Sequence, residues 1–145
     1  MDNAVMVPVN YMAVVFAAIS SLVVGFLWYG PLFGKMWIKE MGWSKADVAA
    51  GMKKNMAKSY GIMFVGSLLM AFIMSHVLTF ASAYLHESGL SAGLQTGFWN
   101  WLGFVAPITL SSVLFEGKSV RLWLLNNGYN LITFLVMGSI LALWV

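Results

Sequence analysis

The sequence predicts an all-α fold: an integral membrane four-helix bundle with both termini outside and its basic loops in the cytoplasm. Three observations predict it. Four apolar runs, at about residues 10–29, 60–84, 93–115 and 122–145, contain no Lys, Arg, Asp or Glu. Apolar residues make up 61% of the chain and charged residues 9%, against roughly 45–50% and about 25% in a soluble domain. All 8 Lys and Arg residues fall in the first and third connections between the runs.

Each run is long enough to cross a hydrocarbon core of about 30 Å at about 1.5 Å per residue. Backbone amides in lipid must pair within their own segment, which selects helix over open strand. Lys35, Lys39, Lys45, Lys53, Lys54 and Lys58 lie in connection one, Lys118 and Arg121 in connection three. The residues 86–92 between runs two and three have no basic residue. The positive-inside rule then places the lysine-bearing side in the cytoplasm. The chain reads as one membrane domain over 1–145, in an inner membrane.

The first run is preceded by Asp2 and no basic residue, and is longer than a signal-peptide core, so it is expected to remain as a span. Its small residues Ala13, Ala17, Ser21 and Gly25 recur every fourth position on one helix face. Trp28, Tyr29, Trp37 and Trp43 suit an interfacial belt. Ser44 and Asp47 fit a capping box. Val48, Met52 and Met56 then recur every fourth residue, predicting an amphipathic interfacial helix over about 45–58.

In the second run Ser67, Ala71, Ser75 and Thr79 form another small-residue stripe. His76 sits at about the depth of Asn100 in the third run, which predicts a neutral His bonded to Asn100 or to a hydroxyl. Pro107 predicts a kink in the third run. Glu116-Gly117-Lys118 reads as a tight turn. In the fourth run Gly138 and Ala142 continue a four-residue line from Asn126 and Asn130. Such stripes bring helices together in lipid.

Several stretches together resemble a known family. They are Asn10-Tyr11, the run from Gly25 to Trp37 (GFLWYGPLFGKMW), Gly97 to Pro107 (GFWNWLGFVAP), Leu114 to Lys118 (LFEGK), Asn126 to Tyr129 (NNGY), and Met137 to Trp144 (MGSILALW). This pattern resembles the small bacterial membrane proteins grouped as domain of unknown function 1761. The resemblance covers nearly the whole chain and implies a four-helix membrane protein. It implies no activity and no catalytic residues.

Amides and hydroxyls inside the spans are the candidate site residues. Asn126, Asn127 and Asn130 in the fourth run share a depth with Thr109, Ser111 and Ser112 in the third. Unpaired amides in hydrocarbon are costly, so these groups either bond between helices or line a polar cavity between spans three and four. His76 and Asn100 complete the candidate ligand-binding set. No catalytic residues and no cofactor are expected, because the spans offer neither a carboxylate pair nor a Ser–His–acid set. One His without Cys or a nearby carboxylate is a poor metal site, so no metal is expected. Eight basic residues do not make a nucleic-acid surface. Two function classes follow. One is a structural or interaction protein that packs or self-associates, with the bilayer, a second copy or another membrane protein as partner. The other is a passive binder or conduit for a small neutral, lipid-like or anionic ligand.

Overall fold

The computed structural model describes residues 6–144. Among them every regular element is helical. In chain order these are α1 (Tyr11–Leu27), α2 (Gly34–Glu40), α3 (Lys45–Met52), α4 (Met56–Leu85), α5 (Gly89–Asn100), α6 (Ala106–Thr109), α7 (Ser111–Leu114) and α8 (Val120–Leu143). Wide π-type turns at Trp28–Leu32 and Trp101–Val105 join α1 towards α2 and α5 to α6. Four stretches are long and apolar enough to cross a membrane: Tyr11–Leu32, Met56–Leu85, Gly89–Leu114 and Val120–Leu143. The expected fourth span ended on Val145, and that residue, like residues 1–5, lies outside the described part of the chain.

Local chemistry explains where the helices start and stop. Asn10 caps α1, its side chain accepting from the Ala13 amide at 3.1 Å. The first stretch turns at Gly30 (φ −102°, ψ −105°). Pro31 has no N–H to continue the helical ladder, and the Phe33 amide reaches back five residues to the Trp28 carbonyl at 2.8 Å. Pro107 acts similarly in the third stretch. It cannot bond Gly103, and the Ala106 amide reaches back to the Trp101 carbonyl, so the irregularity lies just before the proline. Gly117 takes the left-handed conformation (φ +70°) that the tight turn before α8 requires.

The helix expected over 45–58 is two helices. The Ser44 capping box is present, but α3 stops at Met52. The Lys53 and Lys54 amides close short turns on Ala50 and Gly51, both at 3.2 Å. The Asn55 side chain then accepts from the Lys58 amide at 3.3 Å and caps α4. Met56 and Lys58 therefore belong to the second long helix, and α3 buries no residue. The stretch after Pro31, read only as interfacial, forms α2.

The core lies where α1, α4, α5 and α8 meet, around Met137, which is fully buried. The two stripes face each other: Ala13, Ala17 and Ser21 of α1 are buried with Ser67, Ala71 and Ser75 of α4. Ser21 Oγ donates to Ser67 Oγ at 2.7 Å, and its geometry also suits the Ala18 carbonyl at 2.8 Å. Thr79 is half-buried at the end of its stripe. Gly25 lies against the Tyr129 ring, which a Cβ there would approach to 3.4 Å. Both faces that suggested contact between copies are thus occupied within one chain.

The α5–α8 contact is tighter still. A Cβ built on Gly138 would strike the Gly93 carbonyl, one on Gly93 the Gly138 carbonyl, and one on Gly97 the Phe134 carbonyl. The two backbones touch without side chains between them, the close approach that small residues permit. Gly89, Gly93 and Gly97 repeat every fourth position, a signal present in the sequence but not read there as a packing stripe.

Candidate functional site: the polar seam of α8

The amides of α8 lie near the lysine-bearing end of the bundle and form a seam joining three of the long stretches. At its base Ser119 caps α8, accepting from the Leu122 amide at 3.1 Å. Its hydroxyl donates to Glu40 at 2.6 Å, fastening α2 beneath α8.

One turn further, Thr109 of α6 becomes a hub. Its hydroxyl lies 2.8 Å from the Val105 carbonyl and accepts from Trp123 Nε1 at 3.2 Å and Asn127 Nδ2 at 2.9 Å. The Asn127 amide also donates to the Trp123 carbonyl at 3.1 Å and is almost fully buried. Spans three and four are therefore bonded directly at this level, and further along they meet through the glycines. Of the two arrangements the sequence left open, bonding between helices holds at Thr109 and Asn127.

On the opposite side of α8, Tyr29 donates to Asn126 Oδ1 at 2.9 Å. Trp28 Nε1 donates to the Leu125 carbonyl at 3.0 Å, its ring resting on Gly128, where a Cβ would come within 2.8 Å. Tyr129 donates to the Ser21 carbonyl at 3.3 Å. Tyr29 packs on Tyr129 (ring centroids 5.2 Å apart) and on Trp37 (5.3 Å). The aromatic belt inferred from composition thus has a more specific role at Trp28 and Tyr29. Both side chains hold the first stretch to α8.

The remaining candidate residues do not join this seam. Ser111 and Ser112 bond the carbonyls of Ile108 and Thr109 on their own turns, at 2.9 and 2.8 Å. His76 Nδ1 lies 2.9 Å from the Phe72 carbonyl, and Asn100 donates to the Thr96 carbonyl at 2.8 Å. Equal depth did not bring His76 and Asn100 together, because depth says nothing about which way a side chain points. Asn130 is half-buried and has no side-chain partner among the described residues. Trp101 Nε1 and Thr133 Oγ1 are buried without partners among the described residues.

The line from Asn126 to Ala142 also divides. Asn126 meets Tyr29 of the first stretch, whereas Gly138 and Ala142 meet Gly93 of α5. A four-residue step overshoots a 3.6-residue turn by about 40°, so a long line of this kind winds around the helix. Apart from the Glu40 carboxylate at its base, the bonds of the seam join uncharged groups.

Fold and seam together define a small all-helical protein of membrane-spanning character, its last helix stitched to its neighbours by amides, indoles and phenols. The chain belongs to the family described as protein of unknown function DUF1761, which it matches over residues 12–142. Among curated proteins and among solved structures nothing matches it.

Proposed function

We propose that this chain is a structural, interacting protein of the bacterial inner membrane, with no reaction of its own, that self-associates through one helix. The lysine-bearing end faces the cytoplasm, as the one-sided placement of Lys and Arg favours. The polar groups of the seam support a packing role, since they bond helix to helix rather than face an open path.

The observation that carries the reading is at the start of α4. Residues 56–66 are exposed on every side of the helix except at Phe64, which is half-buried. This portion rises from the lysine-bearing end without support from the other spans. It carries small residues at Ala57 and Gly61, and nothing lies within 4 Å of a Cβ built on Gly61 or Gly66. Small residues on an unpacked apolar helix suit close contact with another helix. A second copy, bringing the same portion of α4, forms a two-fold contact in which one patch meets itself.

The chain has no Cys, so single-cysteine variants report contacts cleanly. Ile62→Cys and Val65→Cys are expected to form dimers under mild oxidation in native membranes, while Phe16→Cys, exposed on α1, stays monomeric. Equal, weak crosslinking at all three positions contradicts self-association through α4.

A further inference from the structure

The opposite end of the bundle, where the described chain begins and ends, contains a half-enclosed cavity of about 560 Å³. All four long helices line it. It lies away from the α8 seam and plays no part in the proposed self-association. We propose that it is a binding site for a neutral single-chain amphiphile, an acyl chain ending in a hydroxyl or another uncharged hydrogen-bonding head.

The volume falls within the roughly 300–1,000 Å³ of small-molecule sites. The space exists because small side chains occupy the wall where four helices converge: Ala13 of α1, Ser75 of α4, Ala92 of α5 and Ala142 of α8. Leu78 and Leu141 complete a buried apolar lining. An apolar body of ligand gains by leaving water or replacing empty space there.

The polar groups divide by depth. Ser75 and Thr79 donate to carbonyls of their own helix, Phe72 at 2.7 Å and Ser75 at 2.9 Å. Asn10 is committed at both ends, to the Ala13 amide and the Trp144 carbonyl. Among the described residues, the lining hydroxyls without a partner are those of Ser82 at the end of α4 and Ser88, which makes no capping bond to α5. None of the described lining residues is ionisable. A charged head would lose its hydration without a counter-charge, a penalty an uncharged head avoids. Apolar depth with unpartnered hydroxyls, among the described lining residues, at Ser82 and Ser88 matches a tail-down, head-out amphiphile.

The test uses the full chain in phosphatidylcholine nanodiscs with a diazirine-bearing analogue of hexadecanol. Photolabelling is expected to saturate, to fall on α1, α4, α5 and α8 peptides lining the cavity, and to be displaced by unlabelled hexadecanol. Ser82→Trp and, separately, Ser88→Trp at the exposed rim should each reduce it by about tenfold, equivalent to about 1.4 kcal/mol. Ser111→Trp, exposed at the other end of the bundle, should leave it unchanged. Thermal unfolding of each variant shows whether the fold is kept, and the rim variant Ser88→Trp decides the matter if Ser82→Trp unfolds. Labelling spread over the lipid-facing surface without saturation overturns the site. So does labelling unchanged by Ser88→Trp. Preferential displacement by hexadecanoate over hexadecanol overturns its neutrality.

Discussion

A methyl group at Gly138 would land on the Gly93 carbonyl, a backbone atom that cannot rotate aside. Gly138→Ala is therefore expected to lower stability by about 1–3 kcal/mol, the usual range for overpacking. Gly51→Ala in α3, where nothing lies within 4 Å of the new Cβ, should change it by no more than about 1 kcal/mol. Thermal unfolding in one detergent compares the two, and equal effects would contradict backbone contact between α5 and α8. The asparagines divide in the same way. Asn127→Leu removes bonds to Thr109 and to the Trp123 carbonyl and should cost about 1–2 kcal/mol. Asn130→Leu removes no interhelical bond and should cost less than about 0.6 kcal/mol. A larger loss for Asn130→Leu would mean that the seam is wrongly placed. The sequence marked all three asparagines as groups that bond between helices or line a cavity, and Asn126 and Asn127 bond. It did not show which partners, because one residue of rotation separates buried Asn127, bonded to Thr109, from Asn126, bonded to Tyr29.

Among the elements, α3 is held by chemistry legible in four letters, Ser44 to Asp47. Ser44 and Asp47 satisfy each other's amides, at 2.7 Å from the Ser44 amide to the carboxylate and 3.2 Å from the Asp47 amide to the hydroxyl. The Ser44 hydroxyl bond and then its backbone amide hold the Asp47 carboxyl below its ordinary value. A carboxyl with a lowered folded pKa stabilises the cap above its unfolded value of about 3.9. That contribution fades as the pH falls through the lower, folded value. Amide exchange at residues 45–48 should therefore accelerate as the pH drops below about 4, after correction for the intrinsic rate. In Ser44→Ala this pH dependence should largely vanish. An unchanged profile in that variant contradicts the assignment. The end of α3 was harder to read than its start. The apolar spacing of Val48, Met52 and Met56 runs across the break, and Gly51 lies inside α3 rather than just past its end. The usable signal was Asn55, a capping residue three positions before Lys58. The long helices were legible because hydrocarbon imposes length and polarity together. The π-type turns were legible only through Pro31 and Pro107.

Across the molecule, the two ends of the bundle differ. At the terminus-bearing end four helices surround a cavity; at the lysine-bearing end α1 and α6 close on α8 while α4 stands clear. Apolar run length carried the number of long stretches, and small-residue spacing marked packing faces on α1 and α4 without saying that they meet each other. Neither could carry the cavity's position, which depends on the relative heights and rotations of four helices. Beside Asn127 and Pro107, bonding between helices through Thr109 holds rather than the alternative of a cavity, and a cavity lies at the other end. The self-association and the amphiphile site both assume that hydrocarbon surrounds the four long helices and that Lys and Arg stay on the inner face. Single-cysteine labelling with a membrane-impermeant thiol reagent tests that assumption directly, again helped by the absence of native Cys. Met6→Cys, at an exposed position before α1, should react in intact spheroplasts, and Lys118→Cys only after the membrane is opened. Labelling of Lys118→Cys in intact spheroplasts, with Met6→Cys protected, would contradict the orientation.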